Sequence, residues 1–233
     1  MRILAVGAHP DDLEILCGGT LAKYRARGDT VVMAHAAYGD KGHFIIQPDE
    51  LTRIRRAEAQ AAAGVIGAEC VELGFYDLGI GNTDEGRMRV IDLLRTARPD
   101  VVFTHHPEDY HTDHIDIAAL VLNATFSASV PHIKTEHEYL PKMPVVYFMD
   151  TVTGLHFDPS DYVDITNFMP QKMEMMSKHQ SQLVWLKEHD NYDALDAIAT
   201  TAKFRGYQCG VKYAEGFKRY QVWGRNPPGY FLP

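Results

Sequence analysis

His9, Asp11 and Asp12 stand together in the run Ala8-His9-Pro10-Asp11-Asp12, directly after the apolar run Ile3-Leu4-Ala5-Val6-Gly7. One imidazole and two carboxylates at the end of a buried strand are placed for chemistry, because open α/β sheets bind ligands beyond the carboxyl ends of their strands. A tight loop can wrap His9 and Asp12 around one metal ion and leave Asp11 free to move a proton. The simpler alternative is that Asp11 or Asp12 only caps the following helix. That accounts for one carboxylate, but two adjacent buried ones cost much free energy unless a cation or donors compensate. A second cluster, His105-His106-Pro107-Glu108-Asp109-Tyr110-His111-Thr112-Asp113-His114, follows another apolar run, Val101-Val102-Phe103-Thr104.

His111 and His114 are three residues apart at the start of an expected helix, so they share a face. Catalytic zinc sites commonly use three His and carboxylate ligands and leave a position for water. His9, Asp12 and His114 supply such a set. With no thiolate nearby, nitrogen and oxygen donors favour zinc and admit iron, manganese or cobalt. His105 or His106, taken singly, reads equally as a surface histidine. Asp109 and Tyr110 adjoin His111 and are placed to shape a substrate pocket.

These residues need a scaffold. Strands are expected at 2–7, 30–35, 70–73, 101–104 and 145–149, and helices at 14–27, 51–66, 85–97, 113–127, 169–187 and 192–206. The βαβαβαβ alternation with short connections predicts an α/β fold with a parallel sheet covered by helices on both faces. Residues 130–144, with three prolines, read as irregular. No repeat or linker divides the chain, so residues 1–233 are expected to form a single domain. The aromatic tail at Tyr230-Phe231 either folds back or covers a neighbour.

A formal charge of −8 argues against an electrostatic grip on nucleic acid or anionic lipid. Cys17, Cys70 and Cys209 are odd in number and far apart, which fits neither a disulfide framework nor a thiolate metal site and points to a reducing cytoplasm. No targeting segment or membrane span is expected.

His9-Pro10-Asp11-Asp12 together with His111-x-Asp113-His114 resembles the LmbE/PIG-L family of zinc-dependent de-N-acetylases. The resemblance extends to Gly39-Asp40-Lys41-Gly42, Arg55-Arg56-Ala57-Glu58, Val163-Asp164-Ile165-Thr166, Lys172 and His179-Gln180-Ser181-Gln182. It implies a Rossmann-like three-layer αβα domain and hydrolysis of the N-acetyl group of an N-acetylglucosamine-type sugar. Carried over by position, His9, Asp12 and His114 hold Zn²⁺, with Fe²⁺ or another divalent metal as the alternative. Asp11 is the general base, His111 faces the oxyanion, Asp113 tunes the protonation of His111, and Arg55 helps to hold substrate. A homo-oligomer is also implied.

Amide hydrolysis fits those roles independently. Zinc lowers the pKa of bound water to about 7 and polarises the acyl oxygen. Asp11 can take a proton from the attacking water and return it to the leaving amine. A protonated His111, favoured by the Asp113 carboxylate, would stabilise the tetrahedral oxyanion.

Other readings stay open at this level. Arg55 can pair with Glu58 on its own helix. Gly39 to Gly42 is a tight turn or a lid, His179 and Gln182 cap or pack, and Trp185 and Trp223 read as packing residues. An amidase for another N-acyl group or a thiol conjugate would use the same ligands, and a non-catalytic metal-binding protein would close the coordination shell. A nucleotide-binding module is disfavoured, because the first strand-to-helix turn lacks GxGxxG and its carboxylates would repel a pyrophosphate. Loops 36–50, 74–84 and 128–144 should frame the mouth of the site.

Overall fold

The computed structural model describes residues 1–222 and 226–233; Trp223, read above as a packing residue, lies outside them. Alternation of apolar side chains sets the layers. In β1 (Arg2–Gly7), Ile3 and Ala5 enter one core and Leu4 and Val6 the other, as period-two side-chain alternation requires. The same division runs through β2 (Thr30–Ala37), β4 (Val101–Thr104) and β5 (Val145–Met149). One core is closed by α1 (Asp12–Ala26), α2 (Pro48–Ile66), α5 (Met169–Met176) and α7 (Ala194–Cys209). The other is closed by α3 (Asp84–Ala97) and α4 (Thr112–Ser127). The result is the expected three-layer αβα arrangement.

With β3 (Glu69–Phe75), β6 (Asp161–Asp164) and β7 (Ala214–Arg219), the sheet runs β3-β2-β1-β4-β5-β7-β6. The first five strands are parallel. The order reverses between β1 and β4, so the loops that leave their carboxyl ends diverge to opposite sides and open a crevice. Both histidine–aspartate clusters begin there.

β6 and β7 were not expected from the sequence, and both pair antiparallel. β6 has only four residues, two of them aspartates, and β7 carries the buried Glu215 and a glycine, so neither shows an apolar run. The helix expected over 169–187 is two helices, α5 and α6 (Gln180–His189), broken at 177–179. The tail folds back on its own chain: Tyr24 Oη donates to the Phe231 carbonyl at 2.8 Å, and Leu232 is buried. All three cysteines are free. Among the described residues, no helix is long and apolar enough to cross a membrane.

Candidate active site

The first cluster turns out of β1 through a strained backbone. Asp11 has φ 126° and ψ −27°, a region that few non-glycine residues occupy and that concentrates at functional sites. It occupies the N-cap position of α1, yet its side chain makes no capping hydrogen bond. The carboxylate instead meets Arg55, whose Nη2 lies 3.1 Å from Asp11 Oδ2. Arg55 is buried and also donates to the carbonyls of Pro10 and Gly39. Gly39 has φ +72°, and a Cβ there would sit 2.4 Å from Arg55 Nη1, so only glycine lets the guanidinium through. Arg55 therefore does not pair with Glu58, which accepts from the Ser181 backbone and hydroxyl.

Asp12 gathers the imidazoles. Its Oδ2 accepts from the His9 backbone at 2.6 Å and lies 3.1 Å from His105 Nε2, while its Oδ1 is 3.3 Å from His114 Nε2. His114 and His105 stack at 3.9 Å between ring centroids. Donor atoms of His9, His111 and His114 lie within 4.8 Å of one another, as do those of Asp12, His105 and His114. The three expected ligands thus fall within two overlapping donor groups that share His114. His105 is fully buried, which removes the surface reading; its Nε2 also meets the Ala8 N–H at 3.0 Å, where the β1–β4 ladder ends.

The site has the character of a cation site. Asp109 Oδ2, Asp113 Oδ1, His105 Nδ1 and His114 Nδ1 are buried without a hydrogen-bond partner. Burial opposes charge on His9, but the carboxylates of Asp113 and Asp12 outweigh it and hold its pKa up at about 10. His114 is likewise raised to about 9 against burial, by Asp12 and Asp109. Burial raises Asp11 to about 6 even though Arg55 pulls it down. Asp12 goes the other way: burial opposes its charge, but His114 and His105 hold it well below the usual carboxylate range. Nitrogen and oxygen donors of this kind fit a divalent transition metal.

Asp113 makes contacts beyond the role the resemblance implied. Its Oδ2 accepts from the Leu78 backbone at 2.8 Å and lies 2.9 Å from His9 Nε2. Only its backbone reaches His111, whose Nδ1 accepts the Asp113 N–H at 3.2 Å and caps α4. His111 is lowered by burial and by the neighbouring His9 and His114, which outweigh the opposing pull of the Asp113 and Asp12 carboxylates. Because Nδ1 accepts the Asp113 N–H, Nε2 is the ring position left to carry a proton toward the cleft. Asp109 also differs from expectation: it is buried behind His114, 3.2 Å from Nδ1 without hydrogen-bond alignment, and accepts the His111 N–H.

The cleft has a volume of about 610 Å³ and is lined by the site residues His9, Asp11, Asp12, His111, Asp113 and His114 together with Arg55 and Tyr110. Gln182 lines it too and donates to the Gly42 carbonyl, and Trp185, read as packing, faces the same space. The 39–42 loop is fastened, since Asp77 accepts the N–H groups of Gly39 and Lys41 and donates its own to Asp40. Behind Asp11 lies a second buried group, Glu14, His35 and His179, of which sequence reasoning weighed only His179. Glu14 Oε1 and His179 Nε2 are 3.3 Å apart, and His35 Nδ1 lies 3.2 Å from the His9 carbonyl. Glu14 falls on the buried side of α1, three residues after Asp11, a spacing that would have flagged it.

The PIG-L family, described as GlcNAc-PI de-N-acetylase, matches residues 4–125. A diacetylchitobiose deacetylase of Thermococcus kodakarensis is 27% identical over 240 residues, covering 99% of this chain and 85% of the relative. A conserved protein of Thermus thermophilus superposes with a TM-score of 0.81 at 30% identity, covering 97% of this chain and all of that one. The N,N′-diacetylchitobiose deacetylase of Pyrococcus horikoshii gives a TM-score of 0.82 at 26% identity over 94% of this chain and 83% of that one. The family match spans β1 to α4 and contains both clusters that meet at the β1–β4 crevice, and on that ground the chain belongs to the PIG-L family.

Proposed function

We propose that this chain, acting as a single domain, is a metal-dependent hydrolase that removes the N-acetyl group from an N-acetylglucosamine-type sugar. The observation that carries this reading is the meeting of a strained, Arg55-held Asp11 with the His9, Asp12 and His114 donors in one cleft at the switch point. The similarity to deacetylases of acetylated sugars supports the substrate class. His9, Asp12 and His114 would hold zinc, which when bound acidifies water and polarises the acyl oxygen.

The chain's own residues do the rest. Asp11, with a pKa near 6, is ionised at neutral pH and basic enough to accept a proton from the attacking water. Arg55 keeps its carboxylate in place. The same carboxyl then delivers the proton to the leaving amine nitrogen. His111 Nε2–H donates to the oxyanion without first needing a charge. Asp113 orients His9 and Asp109 orients His114, the outer contacts that fix ligating imidazoles.

The test is acetate release by metal-stripped protein, with and without zinc, from N-acetylglucosamine, its glycosides and N,N′-diacetylchitobiose. Zinc-dependent release from any of them is the expected result. No release from protein that demonstrably binds zinc overturns the substrate class and directs attention to other N-acyl groups. Sedimentation of the same samples reads the self-association that the family resemblance implies.

A further inference from the structure

The floor of the cleft is charged and buried, whereas its rim mixes the exposed charges of Lys41 and Asp190 with a run of apolar side chains. Asp11, Asp12, Asp113 and His114 are buried, whereas Leu78 and Tyr110, in the same cleft, are 70% and 76% exposed. Trp185, Leu186 and Tyr192 continue this apolar wall. Phe44, 75% exposed, meets Trp185 edge to face at 4.6 Å, next to Ile45 at 79%. Single exposed apolar residues need no explanation, but a set of them around a binding cleft marks a contact surface. Leu78 is also strained: its φ of 59° is one that a bulky side chain rarely adopts. That conformation is tied to the floor, because the Leu78 N–H donates to the Asp113 carboxylate that bonds His9. Strain of this kind persists where a ligand clamp over-determines it.

We propose that this rim is a subsite for a flat apolar group on the sugar, so that the protein prefers N-acetylglucosaminides with an aryl aglycone to those with a small or polar one. The inference rests on the deacetylase reading. The cleft, at about 610 Å³, exceeds what one acetamido sugar fills. Sugar hydroxyls need donors and acceptors, which Lys41, Asp77, Gln182 and Asp190 supply, while Leu78, Tyr110 and Trp185 offer mainly apolar faces. Continuity with the catalytic cleft, and the tie from Leu78 through Asp113 to His9, favour the substrate itself as the occupant over a second copy of the chain.

The experiment compares the methyl and phenyl β-glycosides of N-acetylglucosamine. Acetate release is measured with the zinc-loaded protein, and binding of the intact glycosides is measured by calorimetry with zinc-loaded Asp11→Asn. The expected preference for phenyl is about tenfold or more in both kcat/KM and affinity. Leu78→Asn, a residue that tolerates the left-handed backbone, should lower the phenyl-to-methyl ratio at least about threefold. Acetate released equally well from both glycosides, with equal affinities, overturns the rim and leaves the deacetylase reading standing. Tighter phenyl binding with no acetate from either leaves the rim standing and overturns the deacetylase reading. A dimer that Leu78→Asn dissolves, with a glycoside ratio near one, assigns the rim to a second copy and also overturns the proposal.

Discussion

Around β5 and β7, buried ions are closed upon one another; around the β1–β4 crevice they are left open. Glu215 accepts from the backbones of Gly19 and Thr20 and from Lys172, which also donates to the Ile15 carbonyl. Arg205 forks onto both oxygens of Asp150 and reaches the Phe157 carbonyl. None of these four side chains keeps a buried polar atom without a partner. At the crevice, Asp113 Oδ1 and His105 Nδ1 do, and Asp109 Oδ2 and His114 Nδ1 face each other at 3.2 Å without hydrogen-bond alignment. Unmet buried polar atoms are costly and rare, so where they cluster they point to a ligand rather than to stability. Buried charge by itself marks neither kind of region; its satisfaction separates them.

The largest effect is on turnover: Asp11→Asn should lower kcat by about 10²–10⁴ while zinc content and thermal midpoint stay near wild type. Turnover near wild type would put the base elsewhere. In the closed region the loss should be of stability. Lys172→Met leaves Glu215 buried and uncompensated, which should cost about 3–5 kcal/mol in urea unfolding. A cost under about 1 kcal/mol would show that the Lys172–Glu215 pair does not stabilise this region.

A smaller effect separates ligand from orienter. Asp109→Asn should weaken zinc binding or activity by about 10–100-fold, measured by competition with a chelator, whereas His114→Ala should exceed that range. Equal losses would place Asp109 among the ligands. The mildest test is the pH profile. Burial raises Asp11 to about 6 in the metal-free site, so if Asp11 is the base, kcat/KM of the zinc-loaded protein should fall about tenfold per pH unit on an acid limb at or below that value. A bound cation moves this limb to lower pH. A limb at pH 7.5 or above would assign it to another group.

Much of this was legible in the chain. Period-two and helical patterning placed β1, β4, α2 and α3 close to their observed bounds, because each buries a continuous apolar stripe. β6 and β7 were not legible, because pairing with neighbours and the Lys172 contact, rather than an apolar run, stabilise them. His9, Asp12, His111 and His114 could be chosen by residue type and local spacing. The partner of Asp113 could not, because Asp113 and His9 are 104 residues apart in sequence.

What the sequence alone determined was the two histidine–aspartate clusters, their attachment to two strand ends and the αβα layering, all of which follow from local patterning. Tertiary structure alone decided which group meets which. It turned Arg55 from Glu58 to Asp11, hydrogen-bonded Asp113 to His9, buried His105 against Asp12 and set Leu78 and Trp185 on the rim of the cleft. The physical reason is that an ion pair or an orphaned atom depends on angstrom distances between segments far apart in the chain, which sequence spacing does not encode.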